Sequence, residues 1–110
     1  MLAINLLKQE DYKESLAYLE KSQRLAANNE LGLAMTYNNL ACFYKKRGRF
    51  RTALSFLEKA LDIEQRFPNN CALANTHLNI SAVLSLLNRH DIAINHANRA
   101  IIIVQSTLLL

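Results

Sequence analysis

The chain repeats itself. Shifted by 40 positions, residues 33–61 overlay residues 73–101 with seven identities in 29 positions: Leu33, Ala34, Thr36, Asn39, Arg49, Ala53 and Ala60. Shifted by 38, residues 40–61 overlay residues 2–23 with seven more in 22 positions, among them Leu57-Glu58-Lys59 over Leu19-Glu20-Lys21. A unit of about 40 residues that recurs within one short chain is one supersecondary element, unable to bury its own apolar face except by stacking on its neighbours. Three units follow, 1–28, 29–69 and 70–110, the first with a truncated first helix. The chain therefore reads as a window onto an array, not as one closed domain.

Each unit reads as two helices. Leu33, Tyr37, Leu40, Ala41 and Tyr44 recur at spacings of three and four, which predicts a helix over about 30–47. Gly48 stops it, as glycine does at helix C-termini. Phe50, Ala53, Leu54, Leu57, Ala60 and Leu61 give a second helical face over about 50–66. Pro68 with Asn69-Asn70 ends that helix, and Asn28-Asn29 marks the same boundary one unit earlier. Six helices are expected, at roughly 1–9, 12–27, 30–47, 50–66, 71–88 and 90–107. Composition agrees: 20 Leu and 14 Ala stand against two Gly and one Pro, too few turn residues for many short strands. Small residues at Ala41, Ala53 and Ala60 let the helices approach, and Leu40, Tyr44, Phe50 and Leu57 fill the space around them.

This alternation of small and large residues resembles the tetratricopeptide repeat. The middle unit carries Leu40-Ala41-x-x-Tyr44, Gly48-x-Phe50 and Ala53-x-x-x-Leu57-x-x-Ala60. The third has Ile80-Ser81-x-x-Leu84 and Ala93-x-x-x-Ala97-x-x-Ala100; the first has Leu2-Ala3-x-x-Leu6, Tyr12 and Ser15-x-x-x-Leu19-x-x-Ser22. The spacing of 38–40 exceeds the usual ~34, so each helix pair is longer by about one turn or a little more. The stretch AMTYNNLA (34–41) is similar to the longer-helix repeats of kinesin light chains. The resemblance implies an all-α, right-handed α-solenoid of stacked antiparallel helix pairs. It also implies a non-catalytic protein–protein interaction module, an adaptor or a scaffold part of a larger assembly. A cytoskeletal (microtubule or ciliary) component and a chaperone-linked co-factor are the alternatives.

In such a stack the first helix of each unit lines the concave groove, which is expected to take an extended peptide or a helix from a protein partner. The side chains expected there are Met35, Asn38, Asn39, Cys42, Lys45 and Lys46, and in the third unit Asn75, Leu78, Asn79 and Ala82. The resemblance implies that Asn39 and Asn79 hold the backbone of an extended peptide. A carboxamide suits that task, offering a main-chain amide both a donor and an acceptor whatever the peptide's sequence. A clamp for a C-terminal carboxylate needs basic residues on successive first helices. Lys45 and Lys46 supply part of one, but the third unit has Ser85 and Leu86 there.

Charge is localised. The net charge is +4, and Lys45, Lys46, Arg47, Arg49 and Arg51 supply five positive charges within seven residues, so the remainder sums to −1. Cations at a helix C-terminus are favoured by the helix dipole, and the turn reads first as solvated. Its functional reading is an acidic protein partner; nucleic acid fits less well, since the cations form one turn and not a stripe.

Nothing in the sequence has the form of a catalytic or cofactor site: there is no Gly-rich phosphate loop, no HExxH and no nucleophile elbow. His77, His90 and His96 stand where the middle unit has Tyr37, Phe50 and Phe56, so they are expected to pack as ring-sized residues. Cys42 and Cys71 have neither disulfide-framework nor metal-ligand spacing, which suits a reducing compartment. The N-terminus lacks a basic flank and a cleavage site, and the apolar C-terminal run is too short to span a membrane. A soluble, cytoplasmic protein is expected, with cytoskeletal association as one variant. The apolar segment 101–110 is expected to pack on its own pair and a further repeat, or else to self-associate or dock on another subunit.

Overall fold

The computed structural model describes residues 13–21, 29–67 and 72–108. Residues 13–21 are helical and are called α1. Four more helices follow: α2 (Glu30–Lys46), α3 (Phe50–Glu64), α4 (Ala72–Leu86) and α5 (His90–Leu108). No strand occurs among the described residues. The expected helix over 1–9, Asn69, Asn70 and Cys71 lie outside them. α2 packs on α3 and α4 on α5, and α3 joins the two pairs through its contact with α4.

Local chemistry sets the boundaries. Asn29 is extended (φ −126°, ψ 102°), and its side-chain oxygen accepts from the Gly32 amide at 3.0 Å, capping α2. Gly48 ends that pair's first helix with φ +78°, and Asn88 ends α4 in the same left-handed region at +62°. Both turns close alike. Arg49 N donates to Tyr44 O at 2.9 Å and Gly48 N to Lys45 O at 3.0 Å; Arg89 N donates to Leu84 O at 2.8 Å and Asn88 N to Ser85 O at 3.0 Å. α3 stops at Glu64, two residues before the sequence boundary, because Arg66 N and Phe67 N turn back to Ile63 O and Glu64 O.

The core runs through the pairs, not within one of them. Ala41, Ala53, Leu57, Ile80, Val83, Leu84 and Ala93 form one buried cluster drawn from four helices. Ala53 and Ala60 are fully buried, Val83 likewise, and Leu57 and Ile80 are 1% exposed. Each such Leu or Ile is worth about 1.5–3 kcal/mol of transfer free energy. Ala53 belongs to that cluster, and Ala60 to a second one with Ala34 and Ile63.

Aromatic rings fill the α2–α3 seam. Tyr44 stacks on Phe56 at 5.6 Å, Tyr37 lies 5.9 Å from Phe56, and the Lys59 ammonium covers both rings at 5.7 and 5.3 Å. In the α4–α5 seam His77 and His96 take the places of Tyr37 and Phe56, with ring centroids 5.2 Å apart. His90, expected to pack as Phe50 does, is instead exposed beside Ser85. An imidazole is hydrated more strongly than a phenyl ring, so it gains less from burial at a helix start.

Candidate functional site

α2 and α4 carry the expected groove residues, and three depressions run along them. One, of about 430 Å³, lies between the two helices and is lined by Leu31, Met35, Asn38, Asn39, Glu64, Ala72, Asn75 and Asn79. A narrow one of about 50 Å³ lies among Asn38, Ala41, Cys42, Lys45, Leu57, Asn79 and Val83. A third, of about 510 Å³, opens between α1 and α2 among Glu14, Ser15, Tyr18, Leu19, Asn39, Cys42, Phe43 and Lys46. Asn38 and Asn79 are shared by the first two, Cys42 by the last two, and Asn39 by the first and third. The depressions therefore form one connected face across α1, α2 and α4.

Eight of the ten groove residues named from sequence line that face: Met35, Asn38, Asn39, Cys42, Lys45, Lys46, Asn75 and Asn79. Leu78 is exposed and Ala82 half-buried, and neither lines any of the three depressions. Asn39, Asn75 and Asn79 are exposed, and Met35 is 66% exposed.

Asn38 lines the face and is also held by its neighbours. It is half-buried, and its Nδ2 donates to Ala34 O at 3.3 Å and to Thr76 Oγ1 at 3.1 Å. It ties α2 to α4, because a carboxamide between two packed helices satisfies its donors on whichever polar atoms they present.

Sequence reasoning missed Glu64. It is 1% exposed, its Oε1 accepts the Thr76 hydroxyl proton, and it lines the depression between α2 and α4. Burial pushes its carboxyl above the ordinary range, while hydrogen bonds from Thr76 and Asn38 pull it back. The signal was present: Glu64 continues the apolar spacing of Leu57 and Leu61, where an acid is out of place.

The basic turn is not a single patch. Lys45 and Lys46 line the groove-side depressions, whereas Arg51 lines a separate hollow of about 210 Å³ with Glu58 and Arg89. Lys46, Arg47, Arg49 and Arg51 are exposed and Lys45 is half-buried. The Arg47 guanidinium lies 5.9 Å from the centre of the Phe43 ring.

His77 and His96 are both held below the ordinary imidazole range. Burial is the main cause for each; for His77 the His96 and Arg99 charges add to it, and for His96 Arg99 adds while Glu58 opposes. Cys42 is a free, exposed thiol. Among the described residues no three His, Cys, Asp or Glu side chains gather as a metal site, and no helix is long and apolar enough to cross a membrane.

Comparison with known proteins follows the same lines. No curated protein matches the chain. Among solved structures, the crystal structure of BtubC (BKLC) from P. vanneervenii superposes with a TM-score of 0.77 at 26% identity. The match covers 96% of this chain and 45% of that one, so the chain spans less than half the length of the protein it resembles. The tetratricopeptide repeat family model matches twice, over residues 1–65 and 32–106. Repeats of this kind generally mediate protein–protein interaction and are generally non-catalytic, and with both matches spanning nearly the whole sequence, the chain belongs to the tetratricopeptide repeat family.

Proposed function

We propose that this chain is a cytoplasmic, non-catalytic adaptor that holds an extended peptide from a protein partner along the α1–α2–α4 face. The observation that carries the reading is the alignment of exposed Asn39 and Asn79 on one connected set of depressions, with Asn75 beside them and Met35 at the edge. Carboxamides can pair with main-chain N–H and C=O groups, and Met35 and Leu31 offer adaptable apolar contact. Asn38 supports the site from below by bridging α2 and α4. The reading keeps three repeats, 1–28, 29–69 and 70–110, with the groove carried by α2 and α4, the first helices of the second and third repeats, and bordered by α1 from the second helix of the first. An unpaired, exposed Cys42 suits the reducing cytoplasm.

The test is selection of binders from a random 12-residue peptide library on the full chain. Binders should be recovered and should lose tenfold or more in affinity on the double variant Asn39→Ala/Asn79→Ala. Recovery of no binder, or equal binding to the double variant, contradicts the reading.

A further inference from the structure

Glu64 is a buried acid without a cation. It lines the depression of about 430 Å³ between α2 and α4, is 1% exposed, and is raised above the ordinary carboxyl range by burial. No Lys, Arg or His among the described residues pairs with it or lines that depression. Its donors, Thr76 and Asn38, are neutral. The Thr76 hydroxyl gives its one proton to Oε1, and its oxygen accepts from Asn38 Nδ2 at 3.1 Å. A glutamine would close the same network with no charge to desolvate, so the network alone does not call for an acid. A carboxylate has room for more donors than these, and a buried one is offset best by a cation.

We infer that Glu64 is the specificity-determining residue of the groove, selecting peptides whose lysine ammonium reaches the depression between α2 and α4. The inference rests on the peptide reading proposed above and names the side chain which that reading leaves open. So little of Glu64 is exposed that only a slim group can meet it. Lysine carries its charge at the end of an unbranched four-carbon stem. Arginine fits less well, because its planar fork seeks both oxygens of a carboxylate and Thr76 already holds one. Leu31, Met35 and Ala72 line the same depression and give the stem apolar contact. Exposed Asn39, Asn75 and Asn79 offer carboxamide oxygens to the remaining ammonium protons.

Binders selected from the random library on the full chain are synthesised with acetylated N-termini, and each lysine in turn is replaced by norleucine. Affinities are measured on the parent and on Glu64→Gln, which keeps an acceptor for the Thr76 hydroxyl. In each binder one lysine is expected whose replacement costs tenfold or more on the parent and less than twofold on Glu64→Gln. Lysine should also be enriched at one position of the selected binders, a readout that needs only the parent. Lysine-free binders that still lose affinity on Asn39→Ala/Asn79→Ala leave the peptide reading standing and overturn this one. Equal norleucine costs on the two proteins overturn it, and so does a loss that follows N-acetylation instead, which would give the carboxyl to a peptide α-amine. Recovery of no binder removes both readings.

Discussion

The Nδ1 atoms of His77 and His96 lie 2.9 Å apart, where the preceding repeat packs Tyr37 against Phe56. One ring must donate its N–H and the other accept, so the contact needs at least one neutral imidazole. The neighbouring cation has changed its meaning as well. Lys59 covers the aromatic faces of its pair, while Arg99, forty positions on, opposes charge on both histidines.

Stability should therefore depend on pH through this seam. Folding lowers both histidines, so between their folded values and about 6.5 the unfolded chain binds more protons. Their contribution is complete above that range and is lost as pH falls through it. The melting temperature of the chain should drop between pH 7.5 and 5.5, by about 4–8 °C for each kcal/mol lost. The double variant His77→Tyr/His96→Phe, which copies the preceding repeat, should remove most of that drop in thermal melts. An unchanged slope in the variant would rule this out.

Much of the fold is legible in the sequence because repeat spacing and helical period agree. Leu40, Ala41, Ala53, Leu57 and Ala60 were named from spacing, and all are buried. What was not legible depends on contacts between units. Asn38 looks identical to Asn39 in sequence, yet only Asn38 meets Thr76 across the pair boundary. α4 was expected to reach residue 88, but it ends at Leu86 because Asn88 adopts the left-handed turn that glycine signals plainly at position 48.

Glu64 should oppose stability at neutral pH. Its carboxyl is raised by burial, so the folded state holds the proton more tightly, and stability falls as pH rises from about 4.5 through the folded value. Glu64→Gln keeps an oxygen for the Thr76 hydroxyl and removes the charge. Urea unfolding should show the variant at least as stable as the parent at pH 7, with the difference vanishing toward pH 4. A variant that is less stable at pH 7 would mean the hydrogen bonds outweigh the desolvation.

The two left-handed turns offer a clean backbone test. A Cβ at Gly48 would meet nothing within 4 Å, so any cost of substitution there is conformational. Gly48→Ala should cost about 1–2 kcal/mol in equilibrium unfolding. Gly48→Asn should cost less than half as much, because Asn88 already tolerates φ +62° in the equivalent turn. Equal costs for the two would show that the side chain, not the backbone, decides.

In the proposed function, Asn39 and Asn79 hold a ligand by its main chain. Scanning N-methylation along a library-selected peptide, with affinity measured on the parent and on Asn39→Ala/Asn79→Ala, tests it most directly. Methylation at two or more positions should cost the parent tenfold or more, and those same positions should become insensitive on the double variant. If N-methylation is tolerated throughout, or costs both proteins equally, the asparagines do not read the backbone and the groove binds in some other way.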